Sequence, residues 1–454
     1  MLFAVCTTAV AAGSAQDKQR PPNIVLIVSD DLGYQDISPF GGEEVTPHLA
    51  RLAREGVIGT SFYMTAPGCT PSRSSILTGR YPQRNGMYDM IRNDMVNYGH
   101  RFTEIEYRRQ PESTLGMDVR ERTLADMLKK AHYVSGIFGK WDGGRARRYL
   151  PLQRGFDEFL GIVNTGTDYW THERYGMPSL YRNNELVHEE GFLVELEGRE
   201  AARFVRDNHH RPFFLYFPSF GPHGASNLER SGIRPPQKYL DLYPGRDPKD
   251  NRTEYMATVS AVDAQVGTIL DLLDQYGIAE NTLVIFHSDN GGPRGNKSPG
   301  DNGPLRGGKG NLWEGGIRSP FIARWPGTIP AGTKTDALLS TLELMPTLAA
   351  VAKTWVPDAT MDGFDMLPVL QGQEPSSRNE MFWNWLGTRA ARVGNWKWVD
   401  IEGEGGLFDL TKDIGEQHDL SKERPDVLTD VKARWAAWRR EMDNADPRGP
   451  FRDF

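Results

Sequence analysis

Cysteine is the residue this chain uses least, with two in 454 positions, Cys6 and Cys69. So few thiols exclude a disulfide framework and a thiolate-rich zinc site, both of which need several ligands at short spacing. Runs of basic residues are also missing. The 53 Lys and Arg lie scattered among 60 Asp and Glu, for a net charge of -7, so nucleic acid has no electrostatic footprint here. The short patch Arg145-Ala-Arg147-Arg148 reads as a solvated loop. Beyond the N-terminus no stretch reads as the roughly 20 apolar residues a membrane span requires, and no internal repeat is visible. With 38% apolar and 25% charged residues the composition is that of a folded soluble protein. Its length allows one large α/β domain plus a smaller one, or two to three compact domains.

The first residues, MLFAVCTTAVAAGSAQDKQRPP, hold an uncharged stretch over 2–12 and then Gly13-Ser14-Ala15. That is the pattern of an export signal, residues 1–15, cut near Ala15, although the usual basic start is missing and a buried first helix competes with it. Cleavage there would remove Cys6 and leave Cys69 alone in an exported chain. A lone cysteine of that kind is free, intermolecular or chemically used. A free buried cysteine ordinarily behaves as a small hydrophobe, but Gly68, Thr70, Pro71, Ser72 and Arg73 form a polar, tight surrounding. Pro71 favours the first turn of a helix, which puts Cys69 and Thr70 at a helix N-terminus, where free N–H groups and the dipole attract anions. The local pattern is an anion site with a reactive side chain in it.

Two apolar runs end in oxygen ligands. PPNIVLIVSDDLG closes on Asp30 and Asp31, and NTLVIFHSDNGG closes on Asp289 and Asn290. Between and after them lie helical patterns such as TPHLARLAREG, ERTLADMLKKAHY and ATVSAVDAQVGTILDLLDQYG. Strands alternating with helices predict an α/β fold with a mainly parallel sheet, whose ligands gather at the carboxyl ends of the strands. Each Asp alone fits a turn or cap. Together Asp30, Asp31, Asp289 and Asn290 are four oxygen donors suited to a hard cation, Ca²⁺ or Mg²⁺.

CTPSRSSILTGR, residues 69–80, resembles the signature of the type I, formylglycine-dependent sulfatases of the alkaline phosphatase-like superfamily. The resemblance continues through NIVLIVSDDLGYQD, FGKW (138–141), RGFDEFLG (154–161), RPFFLYFPSFGPH, VIFHSDNGG, LRGGKGNLWEGGIRSP (305–320) and NWKWVDIEGEGGLFDLTKDIGEQHDLS, in the family's order over nearly the whole mature chain. It implies that a maturation enzyme converts Cys69 to formylglycine, whose hydrate attacks the sulfur of a sulfate monoester. It also implies one Ca²⁺ on Asp30, Asp31, Asp289 and Asn290, cationic positions at Arg73, Lys140 and Lys309, and His223 as the acid that protonates the leaving oxygen. Taken singly, those side chains fit a helix surface, solvated lysines and a loop histidine. One position departs from the family: after FGKW many members carry His-Leu-Gly, and this chain carries Asp142-Gly143-Gly144. Asp142 fits three roles there, namely accepting the proton of the second hydroxyl, recognising substrate, or starting the turn.

The expected architecture is a large, mainly parallel or mixed sheet flanked by helices over residues 20–370, a polar joint at 371–380, and a small antiparallel sheet-plus-helix subdomain at 376–454. In the latter Trp383, Trp385, Trp396 and Trp398 alternate with period two. Residues 88–118 form a long mixed-charge connection expected to set specificity. Tyr169, Trp170 and His172 combine aromatic faces with hydrogen-bonding groups, which suits a sugar. An exported enzyme with those groups favours sulfated carbohydrate over a small aryl sulfate. The competing classes are an arylsulfatase of small esters, a phosphate or phosphonate monoester hydrolase of the same superfamily, and a non-catalytic glycan-binding relative.

Overall fold

The strand Asn23–Ser29 is buried along its whole length and lies at the centre of an eleven-stranded sheet. The computed structural model describes residues 20–91, 101–229, 231–295, 299–355 and 359–449; the expected signal, residues 1–15 with Cys6, lies outside them. Five central strands run parallel: Thr282–Ser288, Asn23–Ser29, Phe213–Ser219, Val134–Phe138 and Glu158–Ile162. Antiparallel strands extend both sides, with Arg318–Arg324 and then Val57–Tyr63 on one, and Leu180–Arg182 and Glu185–Leu186 on the other. The sheet is therefore mixed, with a parallel centre.

The near-continuous apolar strands follow from cover on both faces. Val25 and Ile27 pack with the helices Pro47–Arg54, Leu193–Asn208 and Asn251–Gln275. Ile24, Leu26 and Val28 point the other way, towards Cys69–Thr78, Leu124–Lys130 and Leu344–Val351. Asn251–Gln275 is the one described helix long and apolar enough to cross a membrane, an exception to the sequence reading. Most of its apolar window, 78%, is buried inside the fold, which makes it a core helix.

Strands Glu380–Trp385, Thr388–Val393, Trp396–Ile401 and Glu404–Asp409 form a four-stranded antiparallel sheet, covered by the helix Pro425–Asp443. Trp383, Trp385 and Trp398 are buried in a third core that also contains Tyr63, Tyr81 and Leu312 of the larger sheet unit. Within 88–118 the described part is not a featureless connection: it contains the short helices Glu104–Arg108 and Pro111–Thr114. Residues 92–100 lie outside the described residues.

Candidate active site

Cys69 is the first residue of the helix Cys69–Thr78, entered from Gly68 in an extended conformation and closed by Gly79 at φ 66°, whose N–H bonds Ser75 O at 2.8 Å. The whole helix is buried, so its polar side chains must find partners inside the protein. Arg73, one turn on, donates from Nε to Asp289 Oδ2 at 2.9 Å and from Nη1 to Lys140 O at 3.2 Å. Ser72 and Ser74 bond backbone carbonyls at 2.8 and 2.7 Å. The helix N-terminus is thereby fixed against the ends of the central strands.

Asp30 and Asp31 follow the strand Asn23–Ser29, and Asp289 and Asn290 follow its neighbour Thr282–Ser288. The parallel register pairs Ser29 with Ser288, which brings both loops side by side. Asp31 N–H donates to Asp289 Oδ1 at 3.1 Å, and Asn290 Nδ2 donates to Asp31 Oδ1 at 2.8 Å. Asp31 lies at φ 65°, held by Tyr255, whose hydroxyl donates to Asp31 O at 2.9 Å. Cys69 Sγ is 3.4 Å from Asp30 Oδ1 and 3.9 Å from Asp31 Oδ1.

With Arg73, two lysines balance these carboxylates. Lys140 Nζ lies 2.8 Å from Asp30 Oδ2, and Lys309 Nζ lies 2.7 Å from Asp31 Oδ2 and 3.2 Å from Cys69 Sγ. Gly139, at φ 135°, lets the chain pass so close to Pro218 that a Cβ would meet its carbonyl oxygen at 2.1 Å, and Lys140 N–H bonds that oxygen. His223 Nε2 is 3.6 Å from Asp31 Oδ2, and its Nδ1 faces Gly224 O at 2.7 Å. Asp142 is buried at φ 56°; Thr70 Oγ1 donates to its Oδ1 at 3.0 Å, Lys140 Nζ is 3.7 Å from its Oδ2, and Oδ2 has no hydrogen-bond partner.

Burial and charge set the protonation pattern. Burial alone would raise Asp30, but Lys140, His223, Arg73 and Lys309 hold it well below the carboxylate range. Asp289 is pushed up to about 7, by burial first and then by Asp30. Burial also raises Asp142, and lowers His223 to about 4 against the opposing pull of Asp31. The Cys69 thiol is raised well above its usual range by burial and Asp30. A neutral thiol is a poor nucleophile.

Ligand atoms of Asp30, Asp31, Cys69 and His223 all lie within 4.8 Å of one another, so a divalent ion would find several donors here. Asn290 Oδ1 is buried without a partner, and it completes an all-oxygen set with Asp30, Asp31 and Asp289 that fits a hard cation.

All ten residues singled out in the sequence occupy one cluster: Asp30, Asp31, Cys69, Arg73, Lys140, Asp142, His223, Asp289, Asn290 and Lys309. Two of the aromatic-pocket residues do not line it. Tyr169 is wholly buried, stacks on Phe192 and donates to His223 O at 2.7 Å, so it supports the histidine loop. His172 is buried against Gly191 O at 3.1 Å. Trp170 alone is exposed. Thr70, which the sequence places with Cys69 at the helix N-terminus, has a further contact the sequence does not reveal, its hydrogen bond to Asp142. Sequence reasoning missed Tyr255, which holds the Asp31 turn from a helix where nothing marks it.

A buried helix terminus beside carboxylates and cations, at the carboxyl edge of the parallel strands of a mixed α/β sheet, is where such folds collect anionic ligands. The chain belongs to the sulfatase family, the sulfuric ester hydrolases: residues 22–354 match the family described as Sulfatase, and residues 308–437 match the C-terminal region of N-sulphoglucosamine sulphohydrolase. Arylsulfatase A of Homo sapiens is 34% identical over 489 residues, covering 93% of this chain and 88% of that protein. N-acetylgalactosamine-6-sulfatase of Canis lupus familiaris is 35% identical over 408 residues, covering 85% of this chain and 72% of that protein. Among solved structures, Ps i-CgsB in complex with k-i-k-neocarrahexaose aligns with a TM-score of 0.81 at 30% identity, over 92% of this chain and 93% of that one.

Proposed function

We propose that this sulfatase is an exported enzyme that removes sulfate from carbohydrate, with residue 69 as its nucleophile after conversion to formylglycine. The observation that carries the reading is Cys69 at a buried helix N-terminus with Lys309 Nζ 3.2 Å from its sulfur and the Asp30–Asp31 carboxylates beside it. A relative named N-acetylgalactosamine-6-sulfatase and a solved neighbour in complex with k-i-k-neocarrahexaose favour carbohydrate as the substrate class. The hydrate of formylglycine, made by a maturation enzyme, supplies one hydroxyl to attack sulfur and a second whose loss of a proton expels sulfate and restores the aldehyde. Asp30, Asp31, Asp289 and Asn290 would hold Ca²⁺, which when bound supplies positive charge to a sulfate oxygen and makes the hydrate more acidic.

The chain's own residues do the rest. Lys140, Lys309 and Arg73 keep fixed positive charge around the sulfate, whose negative charge spreads and shifts towards the leaving oxygen as the S–O bond breaks. His223 gives that oxygen a proton; the negative sulfate beside it opposes the effect of burial on the imidazole. Asp142, held by Thr70, takes the proton of the second hydroxyl, and its Oδ2, which accepts no hydrogen bond and has Lys140 Nζ 3.7 Å away, is the accepting atom. In this reading residues 20–370 form the catalytic domain and 376–454 a supporting subdomain, with residues 1–15 as an export signal. The test is sulfate release from a panel of sulfated oligosaccharides, with phosphate and phosphonate esters in parallel. Faster cleavage of the phosphorus esters, or tight binding of glycans with no product, would overturn it.

A further inference from the structure

A cavity of about 610 Å³ opens beside the helix Glu104–Arg108, with Tyr107, Ser113, Arg145, Met177 and Tyr181 in its wall. That volume is typical of a small-molecule site rather than a packing gap. Arg145 lies three residues after Asp142, and three residues of chain reach at most ~11 Å, so the backbone that supplies Arg145 to the cavity wall starts beside the reaction site. The turn between them is pinned: Met117 N–H bonds Gly143 O at 3.0 Å, and Gly116 bridges to Gly144.

The wall is built to bind an anion. The Arg145 guanidinium lies over the Tyr107 ring, 4.7 Å from its centroid, donates to Pro178 O at 3.3 Å, and adjoins Tyr181. Tyr107 is itself fixed by its hydroxyl, which donates to Glu112 Oε2 at 2.6 Å. A guanidinium has five N–H donors in a rigid fork, so several remain for a ligand. Ser113 Oγ is buried at the wall without a partner. Arg108 also reaches the cavity, paired with Glu104, so two positive charges face one negative charge. Met177 and Tyr181 offer apolar surface against which a sugar ring packs.

We infer that this cavity binds the sugar unit next to the sulfated one, and that Arg145 binds an anionic substituent, a sulfate ester or a carboxylate, on that unit. The inference rests on the reading of the enzyme as a carbohydrate sulfatase and makes its substrate a polyanionic chain. The test compares kcat/KM for sulfate release, on protein carrying the aldehyde at residue 69, from three sets of sulfated oligosaccharides. Their neighbouring unit bears a sulfate ester, a carboxylate or no charge. Wild type should prefer a charged set, and which of the two it prefers identifies the anion. Arg145→Gln should lower kcat/KM on that set by about tenfold or more relative to the uncharged set, through KM, as loss of a charge-assisted contact does. Arg145→Lys, which keeps the charge and loses the fork, should retain part of the preference. Arg108→Gln, on an exposed side chain, should shift the same ratio in the same direction by less. A wild type indifferent to the neighbour's charge, or variants that weaken all three sets equally, would overturn the inference while leaving the sulfatase reading intact. A wild type that releases sulfate from none of the sets overturns that reading and the inference with it.

Discussion

Asp142, at the position where the family resemblance leads one to expect histidine, is buried at φ 56° with one carboxylate oxygen held by Thr70 and the other accepting no hydrogen bond, 3.7 Å from Lys140 Nζ. Asp142→Asn keeps the shape and removes the basicity. Rapid-quench kinetics should then show a burst of alcohol product followed by slow turnover, with covalently sulfated protein in the quenched sample. A raised KM without trapped protein would assign Asp142 to substrate recognition instead. His223→Ala should slow the burst itself, most for poor leaving groups such as sugar hydroxyls. Asp289→Ala removes a carboxylate that also binds Arg73 Nε and Asp31 N–H. Elemental analysis should find the divalent ion lost along with activity, and full activity without metal would refute the ligand assignment. At this scale the sequence was most informative, because Cys69, Arg73 and the strand-end carboxylates sit inside contiguous motifs. Tyr169 and His172 misled because their partners, His223 O and Gly191 O, are backbone atoms far along the chain.

The elements that carry the site were legible where both faces of a strand are covered, as in Asn23–Ser29 and Thr282–Ser288. Arg318–Arg324 was not, since its end residues are arginines and it contains a proline. Those arginines are buried because Glu314 and Glu55 pair with them. Nothing in the sequence marks Glu197 either. It lies wholly buried in the helix Leu193–Asn208, where Ser219 Oγ donates to it at 3.0 Å and Phe220 N–H at 3.2 Å. It thereby ties that helix to the segment leading to His223. Burial pushes its carboxyl up to about 8. The folded state therefore keeps a proton that the unfolded chain releases near its ordinary value, so stability is lost as pH rises from about 4.5 to about 8. Glu197→Gln should remove that loss. Denaturation curves of the two proteins should diverge across this window, by at most about 1.4 kcal/mol per pH unit. Parallel curves would show that Glu197 is ionised in the fold.

At the scale of the molecule, a buried ionic cluster joins the four-stranded sheet to the larger one. Lys397 Nζ donates to Glu314 Oε1 at 2.9 Å and to Glu416 Oε1 at 3.2 Å, and Tyr63 hydrogen-bonds Glu314 as well. Burial raises Glu416 to about 7, with Lys397 as the opposing charge. Lys397→Met would leave that carboxylate buried without its cation, at a cost of about 3–5 kcal/mol. Chemical denaturation should register the loss; an unchanged midpoint would mean the cluster is not what joins the sheets. The order of α/β domain and antiparallel tail was readable from periodicity, whereas this cluster was not, because Glu314, Lys397 and Glu416 are far apart in the chain and meet only in the folded protein. The same tail places Trp385 over Gly68, where a Cβ would meet the indole at 3.2 Å, so its packing bears directly on the Cys69 helix.

The central claim is that residue 69 acts as formylglycine in sulfate ester hydrolysis. Peptide mass spectrometry of the purified protein, read beside sulfate release from the same preparations, tests it most directly. Protein made with a competent maturation enzyme should carry aldehyde or hydrate at residue 69, with activity in proportion to the converted fraction. Cys69→Ala, and protein made without that enzyme, should be inactive. Full activity in a preparation whose residue 69 is entirely thiol would contradict the account.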